Sequence, residues 1–289
     1  MRNFQSFILI VSILGLASAA ARASDLRVPG NAVAGQPLTI GTSGDGDATV
    51  YLVGPAEVLK RQVRLGSDLQ IKGEELRSAG RWIAIVREGG KSSSQVFFVQ
   101  PGKVENLSFV ARPSRVPVAH PGAISGVIFV FDRYENLILQ PTPVKFNLSV
   151  EGTGVSQSVT SKNGVAWTSS SSARKAGAAQ FVASASDVSV RRVVQQVASD
   201  PCNLRMRVVE HSSTGTVVET DPVRDCTGNP VPDGTIVTFT QTDAAGRSTI
   251  DARIKRGVAR AGLPPSSNAV ITVASGVVLG NELHVGGAQ

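Results

Sequence analysis

The feature that most constrains the fold is an internal repeat in which equivalent residues lie 93 positions apart. The stretches "VFDRYENLILQPTPVKFN" and "VRDCTGNPVPDGTIVTFT" share one outline. Five pairs match without a gap: Asp132 with Asp225, Asn136 with Asn229, Ile138 with Val231, Val144 with Val237, and Phe146 with Phe239. A long ungapped match that keeps the same turn and core positions predicts two copies of one domain.

The match continues towards the C-terminus. Gly164-Val165-Ala166 aligns with Gly257-Val258-Ala259 at the same spacing of 93. Val182-Ala183-Ser184 aligns with Val273-Ala274-Ser275 at a spacing of 91, which we attribute to one small difference in loop length.

Each matched residue has a predicted physical role. Asp132 and Asp225 end a strand, where an aspartate can cap a turn through an Asx hydrogen bond. Asn136 and Asn229 are expected to adopt the positive φ of the turn, with Gly228 assisting in the second copy. In the strand that follows, alternation predicts a buried Val144/Phe146 pair and, in the second copy, a buried Val237/Phe239 pair.

Several short strands separated by regular turn signals predict an all-β protein made of β-sandwich domains in a row. The first part of the mature chain lacks the repeat but has strand-sized segments too, and Trp82 is expected in its core. We predict a domain at 24–100, a second at 101–200 and a third at 201–289. Short joints containing Pro101 and Pro201 should be stiff. Pro222 predicts an edge or a bulge in the strand before Asp225.

Residues 1–23 have the pattern of a signal peptide. Arg2 precedes an apolar run from Phe7 to Leu16, and Ala21-Arg22-Ala23 fits a cleavage site after Ala23. The alternative, an uncleaved anchor helix, is disfavoured because the apolar run is too short to span a bilayer. We therefore expect an exported protein, periplasmic or secreted, with no transmembrane segment in the mature chain.

Cys202 and Cys226 are the only two cysteines. Two thiols in an exported chain usually pair, so a structural disulfide is expected, with a free or redox-active thiol as the alternative. The formal net charge of +7 is spread along the chain without a long basic run, which disfavours nucleic-acid binding. Weak attraction to an anionic envelope surface remains an alternative use of the charge.

The motif "DCTGNPVPDGTIVTFT", followed by "RGVA" and "ITVASG", resembles the bacterial immunoglobulin-like domains of the invasin and intimin type. The third domain matches strongly and the second more loosely, since Glu135 stands where the turn glycine is expected. The resemblance implies tandem immunoglobulin-like sandwiches that act as spacers or adhesive stalks at cell surfaces.

Candidates for chemistry are weak throughout. His120, His211 and His284 have no metal-ligand spacing, and Asp45 and Asp47 lack the other ligands of a calcium loop. The run "SSSSARK" has no fixed base or oxyanion loop. We therefore expect no enzyme activity, cofactor or metal. The predicted function is that of an exported spacer, scaffold, or protein-interaction and adhesion module whose partner is another envelope protein or a surface polymer.

The alternative function is a carbohydrate or envelope-polymer binding protein that uses the basic first domain. The low aromatic content, 5% of residues, disfavours it because glycan-binding faces rely on aromatic rings. The residues do not indicate an oligomeric state.

Overall fold

A computed structural model describes residues 25–30 and 32–286 of the 289-residue chain. The predicted signal peptide and its cleavage site lie outside the described residues. The described chain forms two compact units, one ending at Pro101 and the other beginning at Gly102. These residues form 23 β-strands and one short 3-10 helix, so the all-β expectation is confirmed.

The first unit contains eight strands and the 3-10 helix. Their bounds are β1 Asp25–Arg27, β2 Ala32–Val33, β3 Leu38–Ser43, β4 Asp47–Val53, β5 Val58–Arg64, β6 Asp68–Ile71, the helix Gly73–Glu75, β7 Gly80–Glu88 and β8 Lys91–Gln100. One sheet has the order β1-β3-β6 and the other β2-β8-β7-β4-β5. Strand β5 was not predicted from the sequence, because its charged residues, Lys60, Arg61 and Arg64, obscure the alternation of apolar and polar side chains.

Trp82 lies in the core of the first unit, as expected. Its side chain is 0% exposed, its indole N–H donates to the Ser78 carbonyl oxygen at 2.8 Å, and its ring packs 6.1 Å from that of Phe97. A Cβ atom on Gly54 would lie 2.5 Å from this ring. The close approach explains why the turn after β4 carries a glycine.

The second unit begins with a sandwich that we call the middle sandwich. Its strands are β9 Asn106–Arg112, β10 Arg115–Pro117, β11 Ile124–Phe131, β12 Pro143–Val150, β13 Thr153–Thr160, β14 Val165–Ser170, β15 Gly177–Ala185 and β16 Val188–Val197. Five strands form a sheet of order β10-β16-β15-β12-β13, and three form a facing sheet of order β14-β11-β9. Three phenylalanines, Phe109, Phe146 and Phe181, meet in the core with ring centroids 5.1–6.1 Å apart.

The C-terminal sandwich repeats this plan. Its strands are β17 Met206–Ser212, β18 Gly215–Thr220, β19 Ile236–Asp243, β20 Gly246–Arg253, β21 Arg260–Leu263, β22 Ala269–Ser275 and β23 Val278–Val285. The sheets have the orders β20-β19-β22-β23 and β17-β18-β21. Each of the two sandwiches has its own hydrophobic cluster, but both belong to one compact unit. The division near residue 200 therefore stays a prediction.

The repeat places its core residues at the same depth in both sandwiches. Val144 and Phe146 are 1% and 2% exposed, and Val237 and Phe239 are both 0% exposed. Both pairs lie on the strand that follows the Asp/Asn turn, β12 in one copy and β19 in the other. The alternation in the sequence therefore assigned the inward face correctly.

The predicted alignment near the C-terminus is wrong by one residue. Phe146 pairs with Ala183 and Phe239 pairs with Val273, so the structural spacing there is 90 rather than 91. Val182 and Thr272, not Val273, occupy equivalent positions. The letters Val-Ala-Ser recur in both copies, but a shift of one residue moves every side chain of a strand to the opposite face.

Two further predictions, one on a turn and one on a strand, also need correction. The positive φ angles belong to Glu135 (64°) and Gly228 (87°), one residue before Asn136 and Asn229. Strand β18 ends at Thr220, so Pro222 follows the strand and is neither an edge residue nor a bulge.

Candidate interaction surface and inter-domain junction

The outer face of the three-stranded sheet in the middle sandwich is apolar. Strand β11 alternates between a buried inner row and an outer row formed by Val127, Phe129 and Phe131. Val127 pairs with Trp167 on β14 and with Val110 on β9. These five residues, Val110, Val127, Phe129, Phe131 and Trp167, form what we call the outer apolar face.

The outer apolar face is partly open to solvent, and its central strand contributes the half-buried residues Val127, Phe129 and Phe131. Trp167 is 67% exposed and Val110 is 44% exposed, while the rings of Phe129 and Phe131 stack with centroids 6.5 Å apart. A contiguous apolar patch on a soluble domain is typical of an interaction site. Trp167 can contribute more than any other residue here, because tryptophan often dominates binding energy at interfaces.

The corresponding face of the C-terminal sandwich is more polar. There Glu219 pairs with Arg260, and Val217 lies between Glu210 and Gly262. The apolar face therefore does not follow from the shared fold. It is a property of the middle sandwich alone among these two copies.

This surface was not predicted from the sequence. The signal was the uninterrupted apolar run from 127 to 131, where a half-buried strand should alternate with polar residues. Trp167 on the neighbouring strand was a second signal.

The repeated Asp/Asn turn anchors the start of each sandwich. The carboxylate of Asp132 accepts hydrogen bonds from the backbone N–H of Tyr134 and Asn136, both at 2.9 Å, and from the Asn136 side chain at 2.8 Å. It also accepts one from the N–H of Gly102 at 2.9 Å. The aspartate therefore holds its own turn and the segment that enters the sandwich.

Asp225 makes the equivalent set of contacts in the C-terminal sandwich. It accepts hydrogen bonds from Thr227, from Asn229 and from the backbone N–H of Ser199, which enters this sandwich as Gly102 enters the other. Burial alone would raise the pKa of the Asp225 carboxyl. The hydrogen bonds from Thr227, Asn229 and Ser199 outweigh burial and lower that pKa to about 2.

Asn229 extends this network across the junction between the middle and C-terminal sandwiches. Its amide nitrogen donates to the Arg174 carbonyl oxygen at 2.7 Å, and its amide oxygen accepts from the Ala176 N–H at 2.9 Å. Only 8% of its surface is exposed. The asparagine that we predicted to serve the turn through its backbone thus joins two sandwiches through its side chain.

The disulfide lies at the same junction. Cys202 and Cys226 are bonded, and the Cys202 N–H donates to the Arg224 carbonyl oxygen at 3.0 Å. Pro201 forms a β-bridge with Asp225. The bond therefore fastens the linker to the Asp225 turn, whose aspartate already holds Ser199.

The weaker sequence candidates are not brought together. His211 contacts Thr216 and His284 contacts Glu282, whereas His120 is exposed in a loop. Within 25–30 and 32–286, no group of three or more His, Cys, Asp or Glu residues could hold a metal ion. Of the basic residues of β5, Arg61 pairs with Glu75, and the Lys60 ammonium lies 5.9 Å from the centre of the Tyr51 ring.

No helix in the described part of the chain is both long enough and apolar enough to span a bilayer.

Comparisons with solved structures find similar folds in two bacterial proteins. FdeC, described as an Escherichia coli adhesin, is similar with a TM-score of 0.60 and 15% identity over 89% of this chain and 93% of that chain. InvD of Yersinia pseudotuberculosis is similar with a TM-score of 0.51 and 12% identity over 90% of this chain and 96% of that chain. No protein-family profile and no curated protein sequence matches the chain.

At such low identity the likeness concerns the fold alone. The chain therefore has a tandem immunoglobulin-like fold similar to that of the adhesin FdeC and of InvD.

Proposed function

We propose that the protein is an exported, non-catalytic interaction module of the bacterial envelope, and that the outer apolar face of the middle sandwich binds another envelope protein. The observation that carries the proposal is the row Val110, Val127 and Trp167, which is apolar across three paired strands, with Val110 and Trp167 exposed and Val127 half-buried between them. The likeness of the fold to that of the adhesin FdeC supports an adhesion or interaction role. The disulfide supports export, because such bonds persist in oxidising compartments.

The junction supports a second part of the proposal, a scaffold role. Asn229 makes two hydrogen bonds to the middle sandwich, and the disulfide fastens the linker beside it. Buried side-chain hydrogen bonds between two domains oppose rotation at the linker. We therefore propose that the C-terminal sandwich fixes the orientation in which the outer apolar face is presented.

A photo-crosslinking amino acid at Val110, introduced into the full-length protein in its native host, tests the proposal. Val110 lies at the edge of the outer apolar face. Val193 supplies the matched control, because it is a similarly exposed valine on the opposite sheet of the same sandwich. We expect a discrete protein adduct from Val110 that Trp167→Ser weakens, and no adduct from Val193. Absence of any adduct from Val110, or the same adduct from both positions, would contradict the proposal.

A further inference from the structure

A cleft opens on another side of the middle sandwich, between the edge strands of its two sheets. Strand β13 is the last strand of the five-stranded sheet and β14 is the last strand of the three-stranded sheet. The cleft between them has a volume of about 520 Å³. Pockets that bind small molecules commonly range from about 300 to 1,000 Å³.

Two side-chain contacts flank the cleft. The Thr168 hydroxyl donates to the Gln157 side chain where the two strands converge. Lys175 pairs with Glu151 on the hairpin between β12 and β13, close to the lining residues Val150 and Ala173. The Thr168–Gln157 contact therefore joins the two edge strands beside the cleft.

The floor of the cleft consists of apolar side chains, and its rim carries serine hydroxyl groups. Four buried side chains form the floor: Phe146, Leu148, Val150 and Phe181. A run of four serines, 169–172, forms the wall on the side of β14. No residue that lines the cleft carries a charge.

Gln196 supplies a buried hydrogen-bond donor to this lining. Its side chain is 0% exposed, and its amide oxygen accepts the Ala173 N–H at 2.6 Å. This bond fixes the orientation of the amide, so that the NH₂ group is the free end. Within the described residues that nitrogen has no hydrogen-bond partner. A buried amide donor without a partner is costly, so an acceptor at this position would be bound favourably.

We propose that the cleft binds an uncharged, mainly apolar small molecule that carries a carbonyl oxygen, such as an ester, lactone or amide. The apolar body lies over Phe146, Leu148 and Phe181, and the carbonyl oxygen accepts a hydrogen bond from Gln196 Nε2. A carboxylate is disfavoured, because no lining cation would offset the loss of its hydration.

Because Gln196 is 0% exposed, the proposal requires the lining around its Nε2 to move before the ligand oxygen reaches that nitrogen. Val155 lies at the mouth of the cleft, on the face of β13 that pairs with inward-facing Leu148, and is 60% exposed. A larger side chain at this position blocks the entrance without entering the core.

Titration of the mature, disulfide-bonded chain with Nile red, a neutral dye that carries a ring carbonyl, tests the proposal. We expect saturable binding with one site per chain. Methyl octanoate should displace the dye, whereas octanoate, which has the same chain but a charged head, should be at least tenfold weaker. Gln196→Met should weaken methyl octanoate about tenfold, as expected for one lost hydrogen bond.

Val155→Trp should abolish dye binding, and Val193→Trp on the outer face of the same sheet should leave it unchanged. Thermal midpoints of all variants show whether each is folded. Failure of the folded wild type to bind the dye or the ester would overturn the proposal, as would equal displacement by octanoate or binding that survives Val155→Trp. A wild-type dimer that is lost in Val155→Trp would make a second copy the occupant and overturn it as well.

Discussion

One carboxylate at the residue scale links a turn, a linker and a junction. Asp225 receives hydrogen bonds from Ser199 in the linker and from Thr227 and Asn229 in its own turn. Asp132 does the same for Gly102 in the middle sandwich. The repeated aspartate is thus explained by the backbone donors at the entry of each sandwich, which have no strand partner there.

Asp225 should make the free energy of unfolding of the C-terminal sandwich depend on pH. Its pKa is lowered to about 2 in the folded protein from 3.8, so its contribution is complete above pH 4 and is lost as the pH falls through 2. The shift corresponds to about 2 kcal/mol. Urea unfolding at pH 7, 4, 3 and 2 should show Asp225→Asn less stable by roughly this amount at pH 7, with the difference vanishing near pH 2. A difference that does not change with pH would contradict this account.

Glu135 should be a strained position. It has a φ of 64°, where the C-terminal copy has Gly228 with a φ of 87°. A left-handed conformation costs a non-glycine residue about 1–2 kcal/mol, part of which glycine loses again through its greater freedom when unfolded. Glu135→Gly should therefore stabilise the middle sandwich by about 0.5–1 kcal/mol in urea unfolding.

The reverse substitution is the matched control. A Cβ atom at Gly228 would meet no other atom within 4 Å, so Gly228→Glu adds backbone strain without a clash. Gly228→Glu should lower the free energy of unfolding of the C-terminal sandwich. If Glu135→Gly and Gly228→Glu change the free energy of unfolding in the same direction and by the same amount, strain at these positions is contradicted.

Alternation predicted the faces of individual elements but not the pairing between distant ones. It placed Val237 and Phe239 inward correctly, because a strand with one buried face must alternate. The repeat alignment failed for Val182 and Val273, because similar letters in two copies do not fix a register that distant backbone pairing sets.

The side-chain roles at the junction and cleft could not be predicted from the sequence. Asn229 contacts Arg174 and Ala176, and Gln196 contacts Ala173, so each contact joins residues more than 20 positions apart. The outer apolar face was predictable in principle, because Val127, Phe129 and Phe131 all lie in one apolar run. The resemblance to invasin-type domains carried no information about any of these sites.

A matched pair of substitutions tests the observed register of β15 and β22. Val273 is buried at the position equivalent to Ala183, whereas Val182 lies on the half-exposed face. Val273→Thr places a hydroxyl in the core and should cost about 1–3 kcal/mol, whereas Val182→Thr should cost less than about 0.5 kcal/mol. Similar losses in the free energy of unfolding for the two variants would contradict this register and support the alignment with a spacing of 91.

At the scale of the whole molecule, the disulfide should stabilise the C-terminal sandwich through its linker. Cys202 and Cys226 are 24 positions apart, and closing a loop of this size contributes about 3 kcal/mol in the chain-entropy account. Cys202→Ala should lower the thermal midpoint in oxidising buffer as much as a reductant lowers that of the wild type. The reductant should have no further effect on the variant. If neither Cys202→Ala nor the reductant lowers the thermal midpoint, the disulfide does not stabilise this sandwich.

The Asp225/Asn229 turn should make the middle and C-terminal sandwiches one stiff unit. The most direct test is a distance distribution from electron–electron double resonance, with spin-labelled unnatural amino acids at Ser158 in β13 and Thr249 in β20 so that the disulfide stays intact. The account predicts one narrow distribution in the wild type that Asn229→Ala broadens. A broad distribution in the wild type, or a narrow one that Asn229→Ala leaves unchanged, would contradict it.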